Sequence, residues 1–165
     1  MTPSSRMDWV FAYGSNMDMD NLKAWMKLKG YSTDGIQRVE KATLPGFRLV
    51  WNYYSNARSG GAANIEPSNR DLPGVAFEVD ADTLKAIDRK EGHPRVYSRG
   101  DTLRTIGLES GEEIKAWVYI VLPSRCQKTP VRPRREYLQI LVRAAKLHGL
   151  PSWHILELER TPTQD

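Results

Sequence analysis

An α+β fold is predicted for this chain of 165 residues. Its apolar residues follow both strand-like and helix-like periods, and the two kinds of segment do not alternate strictly as a doubly wound sheet requires. The inventory is about six strands and three helices. The length suits a single domain over 1–165, with a core at about 8–155, large enough to bury apolar surface without staples.

Trp9 to Tyr13 alternates large and smaller apolar residues and predicts a strand buried on both faces. Asp18 and Asp20 supply acidic residues for a helix start, Leu22, Trp25 and Met26 follow at helical spacing, and Gly30 stops the run. Phe47 to Tyr54 reads as a strand beginning past Pro45-Gly46. Ser59-Gly60-Gly61 reads as a turn, and Ala62 to Ile65 as a short strand ended by Pro67. Asn52 to Gly60 suits either a lid or a plain surface loop. Pro73-Gly74 introduces a strand over Val75 to Val79.

Asp80 or Asp82 caps a helix carrying Leu84 and Ile87, closed by Gly92 and Pro94. Strands follow near Val96 to Ile106 and Ile114 to Leu122. The second alternates cleanly, placing Tyr119 on the face opposite Ala116 and Val118. Pro133 suits the first turn of a last helix with Tyr137, Leu141, Ala144 and His148 on one stripe. Gly149 ends it and Pro151 is expected to bar a restart. The first few and last few residues look loose.

Two segments carry chemistry. Phe11-Ala12-Tyr13-Gly14-Ser15-Asn16 ends an apolar run in a polar, glycine-containing turn that opens into a helix. Such a turn leaves backbone N–H groups facing a common point, where an anion or carbonyl oxygen can sit. Glu91 lies at i+7 from Leu84 and i+4 from Ile87, so spacing projects a carboxyl along an apolar face. Burial and the negative helix end both push its pKa upward, toward values useful for proton transfer. The bland alternative has Glu91 rolling out at a frayed terminus to pair with Lys90 or Arg95. Tyr97, Tyr119 and Tyr137 lie at element edges, where tyrosines are usually core residues with a wet tip.

Other chemistries find little support. His93, His148 and His154 lack a metal-ligand spacing, and Cys126 has no partner and sits in a Pro/Arg-rich loop, which argues against a metal hydrolase and a Cys–His nucleophile. The net charge of +4 comes partly from Arg125, Lys128, Arg132, Arg134 and Arg135. Without interleaved aromatics that cluster reads as a solvated loop rather than a nucleic-acid surface. No apolar run reaches membrane-spanning length and Met1 to Asp8 lacks a signal core. One cysteine admits no internal disulfide, which fits a cytoplasmic protein. Trp153 and Ile155 to Leu158 are apolar enough to cover either the domain itself or a second copy in a homodimer.

Several segments together resemble the γ-glutamylcyclotransferases. They are the turn at 11–16, Gly61-Ala62-Ala63-Asn64-Ile65-Glu66-Pro67, Pro73-Gly74-Val75-Ala76-Phe77, Asp88-Arg89-Lys90-Glu91-Gly92 followed by Tyr97, and Pro133 to Pro151. The resemblance implies a small mixed β-barrel with flanking helices and a cofactor-free, metal-free pocket at its mouth. It implies that Tyr13, Gly14, Ser15 and Asn16 hold a γ-glutamyl group, with Phe11 and Ala12 in the same binding segment. Glu91 looks like the general acid/base, and Tyr97, Tyr119 and Tyr137 like tyrosines lining the pocket. The implied reaction closes a γ-glutamyl amide on its own α-amine to 5-oxoproline. Two rivals keep the fold: a cyclotransferase for γ-glutamylamines or a γ-glutamyl-protected intermediate, and a non-catalytic binding module.

Overall fold

The computed structural model describes residues 6–165. Its strands are β1 (Asp8–Ala12), β2 (Ile36–Ser55), β3 (Gly60–Val79), β4 (Tyr97–Ser98), β5 (Arg104–Leu108), β6 (Glu113–Val118) and β7 (Ile120–Val121). Its helices are α1 (Met19–Leu28), α2 (Ala81–Glu91), α3 (Arg135–Leu147) and α4 (Ser152–Glu159). Five strands close a barrel in the order β1-β3-β2-β5-β6, while β4 and β7 form a separate pair. The barrel is mixed: β1 runs parallel to β6 and the other neighbours are antiparallel. The α+β class and the small mixed barrel with flanking helices are therefore present.

Side chains fill the barrel rather than leaving a pore. Phe11, Ile65, Phe77, Ile106 and Ala116 are buried inside the sheet, and Ile87 and Leu141 are buried from helices. At Gly74 a Cβ would run into the Ala12 carbonyl and the Phe11 ring, so only glycine lets β1 and β3 approach this closely.

The long hairpin differs from the sequence expectation. β2 begins at Ile36, not after Pro45-Gly46, and β3 runs on through Pro67 and Pro73. Those prolines fall where β2 is the only neighbour of β3 among the described residues, since β1 pairs with β3 from Val75 to Val79. A proline facing no second strand costs no ladder bond. Pro45 likewise sits beside a register shift and beyond the short pairing of β2 with β5.

Three further expectations are corrected. The run from Val96 divides into β4 and β5, and the run to Leu122 breaks at Tyr119, where the chain leaves the barrel to pair with β4. Pro151 does not bar a restart: it stands at the N-cap of α4, where a missing N–H costs nothing. The last residues are held, because Gln164 donates to the Ser59 and Arg132 carbonyls and the Asp165 side chain accepts the Arg135 N–H. The first few residues lie outside the described part. α4 buries His154 and Leu158 on the domain, while Trp153 stays half-exposed under the Arg70 guanidinium.

Candidate active site

The first strand delivers its residues to the barrel mouth through a tight turn. After β1, Ser15 to Met17 form a single 3₁₀ turn, and the Asp18 side chain caps α1 by accepting the Asn21 N–H at 3.0 Å. The Met17 and Asp18 N–H groups bond back to Gly14 and Ser15. The N–H groups of Gly14, Ser15 and Asn16 have no acceptor among the described residues. A Cβ at Gly14 would press on Ala63 and the Tyr137 hydroxyl, so this corner of the turn is tight.

The opposite wall comes from α2. The Asp80 carboxylate caps it through the Thr83 N–H, its buried stripe is Thr83, Leu84, Ala86 and Ile87, and Gly92 closes it in the left-handed region at φ 70°. The stripe continues into Glu91, whose side chain is 18% exposed. Burial raises the Glu91 pKa above the usual carboxylate value, against the lowering influence of Lys90, Arg58 and an Asn16 hydrogen bond. The bland alternative of a solvent-exposed carboxyl is not what the fold contains, although Lys90 does approach it, at 4.0 Å.

A cavity of about 660 Å³ opens between these walls. Phe11, Ala12, Tyr13, Gly14, Ser15 and Asn16 line it, as do Glu91, Tyr97, Tyr119 and Tyr137, so every residue singled out in the sequence lies on one surface. The tyrosine hydroxyls mostly build the wall. Tyr13 donates to the Tyr119 carbonyl at 2.6 Å and Tyr97 to the Ala63 carbonyl at 2.6 Å. Tyr137 accepts the Ala63 N–H at 3.0 Å and keeps its own hydroxyl proton without an acceptor among the described residues. Burial pushes its pKa up to about 12, so it acts as a neutral donor. Tyr119 presents its ring to the cavity but donates its hydroxyl to Asp88 at 2.5 Å. Arg99 pairs with the same carboxylate at 2.8 Å.

Sequence reasoning missed the two cations on this surface that act on Glu91. Lys90 is nearly buried, its side chain 8% exposed, and donates to the Asn16 side-chain oxygen at 2.8 Å. Burial lowers its pKa. Arg58, at the tip of the β2–β3 hairpin, lies over the Tyr137 ring at 5.2 Å. A charged residue inside an Asp-Arg-Lys-Glu run, or in a loop of Asn, Ser and Gly, carries no pattern that separates it from a solvated one. Among the described residues no group of three or more His, Cys, Asp or Glu side chains could hold a metal.

The comparisons with known proteins agree with this fold. A family model described as gamma-glutamyl cyclotransferase, AIG2-like, matches residues 10–139. "Putative gamma-glutamylcyclotransferase MJ1514" of Methanocaldococcus jannaschii is 49% identical over 55 residues, which is 33% of this chain and 43% of that protein. The match thus spans less than half of that curated relative. The crystal structure of uncharacterized protein loc79017 from Homo sapiens matches with a TM-score of 0.80 at 22% identity, covering 96% of this chain and 90% of that one. A gamma-glutamyl cyclotransferase structure matches with a TM-score of 0.78 at 23% identity, covering 97% and 90%. At such identities the structural likeness establishes the fold. Taken with a family model that spans most of the sequence, it places this chain among the gamma-glutamyl cyclotransferase, AIG2-like family, to which it belongs.

Proposed function

We propose that the protein is a γ-glutamylcyclotransferase, which cyclises a γ-glutamyl amide to 5-oxoproline and releases the amine. One observation carries this reading: a largely buried carboxyl with a raised pKa shares a cavity with a turn whose Gly14, Ser15 and Asn16 N–H groups have no acceptor among the described residues. A binding module has no use for the first of these.

The substrate brings its own nucleophile. Its α-amine attacks the side-chain carbonyl carbon, forming a C–N bond and a five-membered ring; the C–N bond to the leaving nitrogen then breaks. Holding the chain folded supplies part of the barrier through proximity, up to about 7–11 kcal/mol in well-oriented cases. Glu91, as carboxylate, takes a proton from the α-ammonium to free the attacking amine and returns it to the departing nitrogen. The second proton shed by the ring nitrogen goes to water and is balanced by protonation of the released amine, so no net proton is consumed. The N–H groups of Gly14, Ser15 and Asn16 and the free Tyr137 proton supply donors for the α-carboxylate and the tetrahedral oxyanion. Ser15 positions and does not attack.

The test is 5-oxoproline formation from γ-glutamyl conjugates by the wild type and by Glu91→Gln. Glutamine keeps the shape and cannot shuttle the proton, so turnover falls by about 10²- to 10⁴-fold with binding retained. Ser15→Ala costs far less. Wild-type-like turnover in Glu91→Gln removes the mechanism, and binding of conjugates without any product from the wild type leaves the binding module standing.

A further inference from the structure

Asp88 opens the segment that supplies Glu91, yet neither substrate binding nor proton transfer uses it. It stands at i−3 from Glu91 on α2 and does not line the cavity. Its carboxylate is fully engaged. Arg99 donates its Nε–H to Oδ1 at 2.8 Å and an Nη2 proton to Oδ2 at 3.0 Å, and the Tyr119 hydroxyl donates to Oδ1 at 2.5 Å. The Arg99 guanidinium lies over the Trp117 ring at 4.3 Å, and the paired side chains are only 18% and 17% exposed. The Asp88 backbone takes part as well. Its carbonyl accepts the His93 N–H at 2.9 Å, beside the bond from Gly92 to Arg89 at 3.2 Å, and this pair closes the helix.

The link runs on from Tyr119. Its carbonyl accepts the Tyr13 hydroxyl at 2.6 Å, immediately before the turn at 14–16. On the cavity side Lys90 reaches the same turn by donating to Asn16 at 2.8 Å. The last turn of α2 is thus held to the binding turn by two routes, through Asn16 in front and through Tyr119 and Tyr13 behind. Such a brace has a purpose here, because helix ends fray and Glu91 is the last residue of α2. A largely buried ion pair adds little net stability over apolar packing, whereas the two-pronged geometry of arginine on carboxylate fixes orientation. Resting on the cyclotransferase reading, we propose that Asp88 is a positioning residue: clamped by Arg99 and Tyr119, it sets where the end of α2 stands and so holds the Glu91 carboxyl against the reacting nitrogen. It touches no substrate and acts through the helix end alone.

Asp88→Asn keeps the shape but turns an acceptor into a donor that faces Arg99. A base displaced by about 1 Å costs on the order of 10²-fold, so kcat for 5-oxoproline formation falls by about that factor while KM stays within about threefold. Tyr119→Phe and Arg99→Lys each leave part of the clamp and lower kcat by about tenfold. Asp88→Asn combined with Tyr119→Phe is no worse than Asp88→Asn alone, since both cut one link. Leu158→Ala, buried on α4, lowers the melting temperature without changing kcat, which separates lost stability from lost placement. Unchanged kcat in Asp88→Asn, or a loss carried by KM, overturns the proposal. A carbon NMR titration of the Glu91 carboxyl reads its placement without chemistry. Tyr119→Phe leaves every charge in place, Lys90 and Arg58 beside Glu91 included, and the midpoint falls toward the ordinary carboxylate value as the side chain gains water. A midpoint that falls, in a protein that forms no 5-oxoproline from any γ-glutamyl conjugate, overturns the cyclotransferase reading and keeps the clamp. An unmoved midpoint overturns the clamp whatever the turnover.

Discussion

Asn16, Lys90 and Glu91 form a polar triangle in which each member constrains the others. Lys90 donates to Asn16 and stands 4.0 Å from Glu91. Burial drives the Glu91 pKa up and the Lys90 pKa down, so both are biased toward neutrality while their mutual attraction opposes it. Lys90→Met removes a positive charge that lowers the Glu91 pKa. That pKa rises further, less carboxylate is present at a given pH, and the acidic limb of kcat/KM moves to higher pH. A pH–rate profile checks this, and an unmoved limb means that Lys90 does not act on the titrating group. Glu91 is legible in the sequence because its place on the Leu84–Ile87 stripe contradicts its charge. Lys90 is not, since its neighbour Arg89 has the same chemistry and is exposed. The geometry alone separates them.

At the scale of elements, the strands that carry the site depend on close backbone approach. Gly74 lets β3 meet β1 where Ala12 leads into the turn at 13–16. Gly74→Ala drives a methyl into the Ala12 carbonyl and the Phe11 ring, and should cost about 2 kcal/mol or more. For a chain of this size that lowers the melting temperature by roughly 4–8 °C, measurable by thermal unfolding, with reduced turnover as the turn shifts. Cap and stop signals were readable here: Asp18, Asp80 and Gly92 all stand at the helix ends that their chemistry suggests. Prolines were misleading, because whether a missing N–H matters depends on which strand lies alongside. Tyr119 shows the same limit. Period two puts it opposite Val118, yet both are buried, because the chain changes sheets between them. An alternation pattern has no signal for a strand that leaves its barrel.

For the molecule as a whole, His154 is one source of acid sensitivity, beside the Asp88 carboxylate, whose pKa burial pushes up but Arg99 and Tyr119 hold below the usual value. His154 is 2% exposed, and its Nε2 has no hydrogen-bond partner among the described residues. Burial lowers its pKa from 6.5 to about 4, opposed by Glu157 and reinforced by Arg70. Protonation is therefore easier in the unfolded chain. The neutral ring's contribution is fully present above pH 6.5 and is lost as pH falls through about 4. The loss is about 3 kcal/mol at most. His154→Phe should flatten the stability–pH curve between those limits in denaturant titrations, and an unchanged slope assigns acid sensitivity elsewhere. The fold class and the identity of the cavity residues are readable from the chain, since both follow local pattern and motif. The cations beside Glu91 are not, because a net charge of +4 says nothing of where Lys90 and Arg58 point.

The cavity draws its walls from residues near 10–28, 53–63, 89–97 and 119–137, stretches scattered along most of the polypeptide. No contiguous fragment shorter than this span can hold the complete apparatus. A protease that severs the chain between any two of these stretches leaves pieces each of which lacks part of the cavity wall, and only their reassembly into one particle restores it.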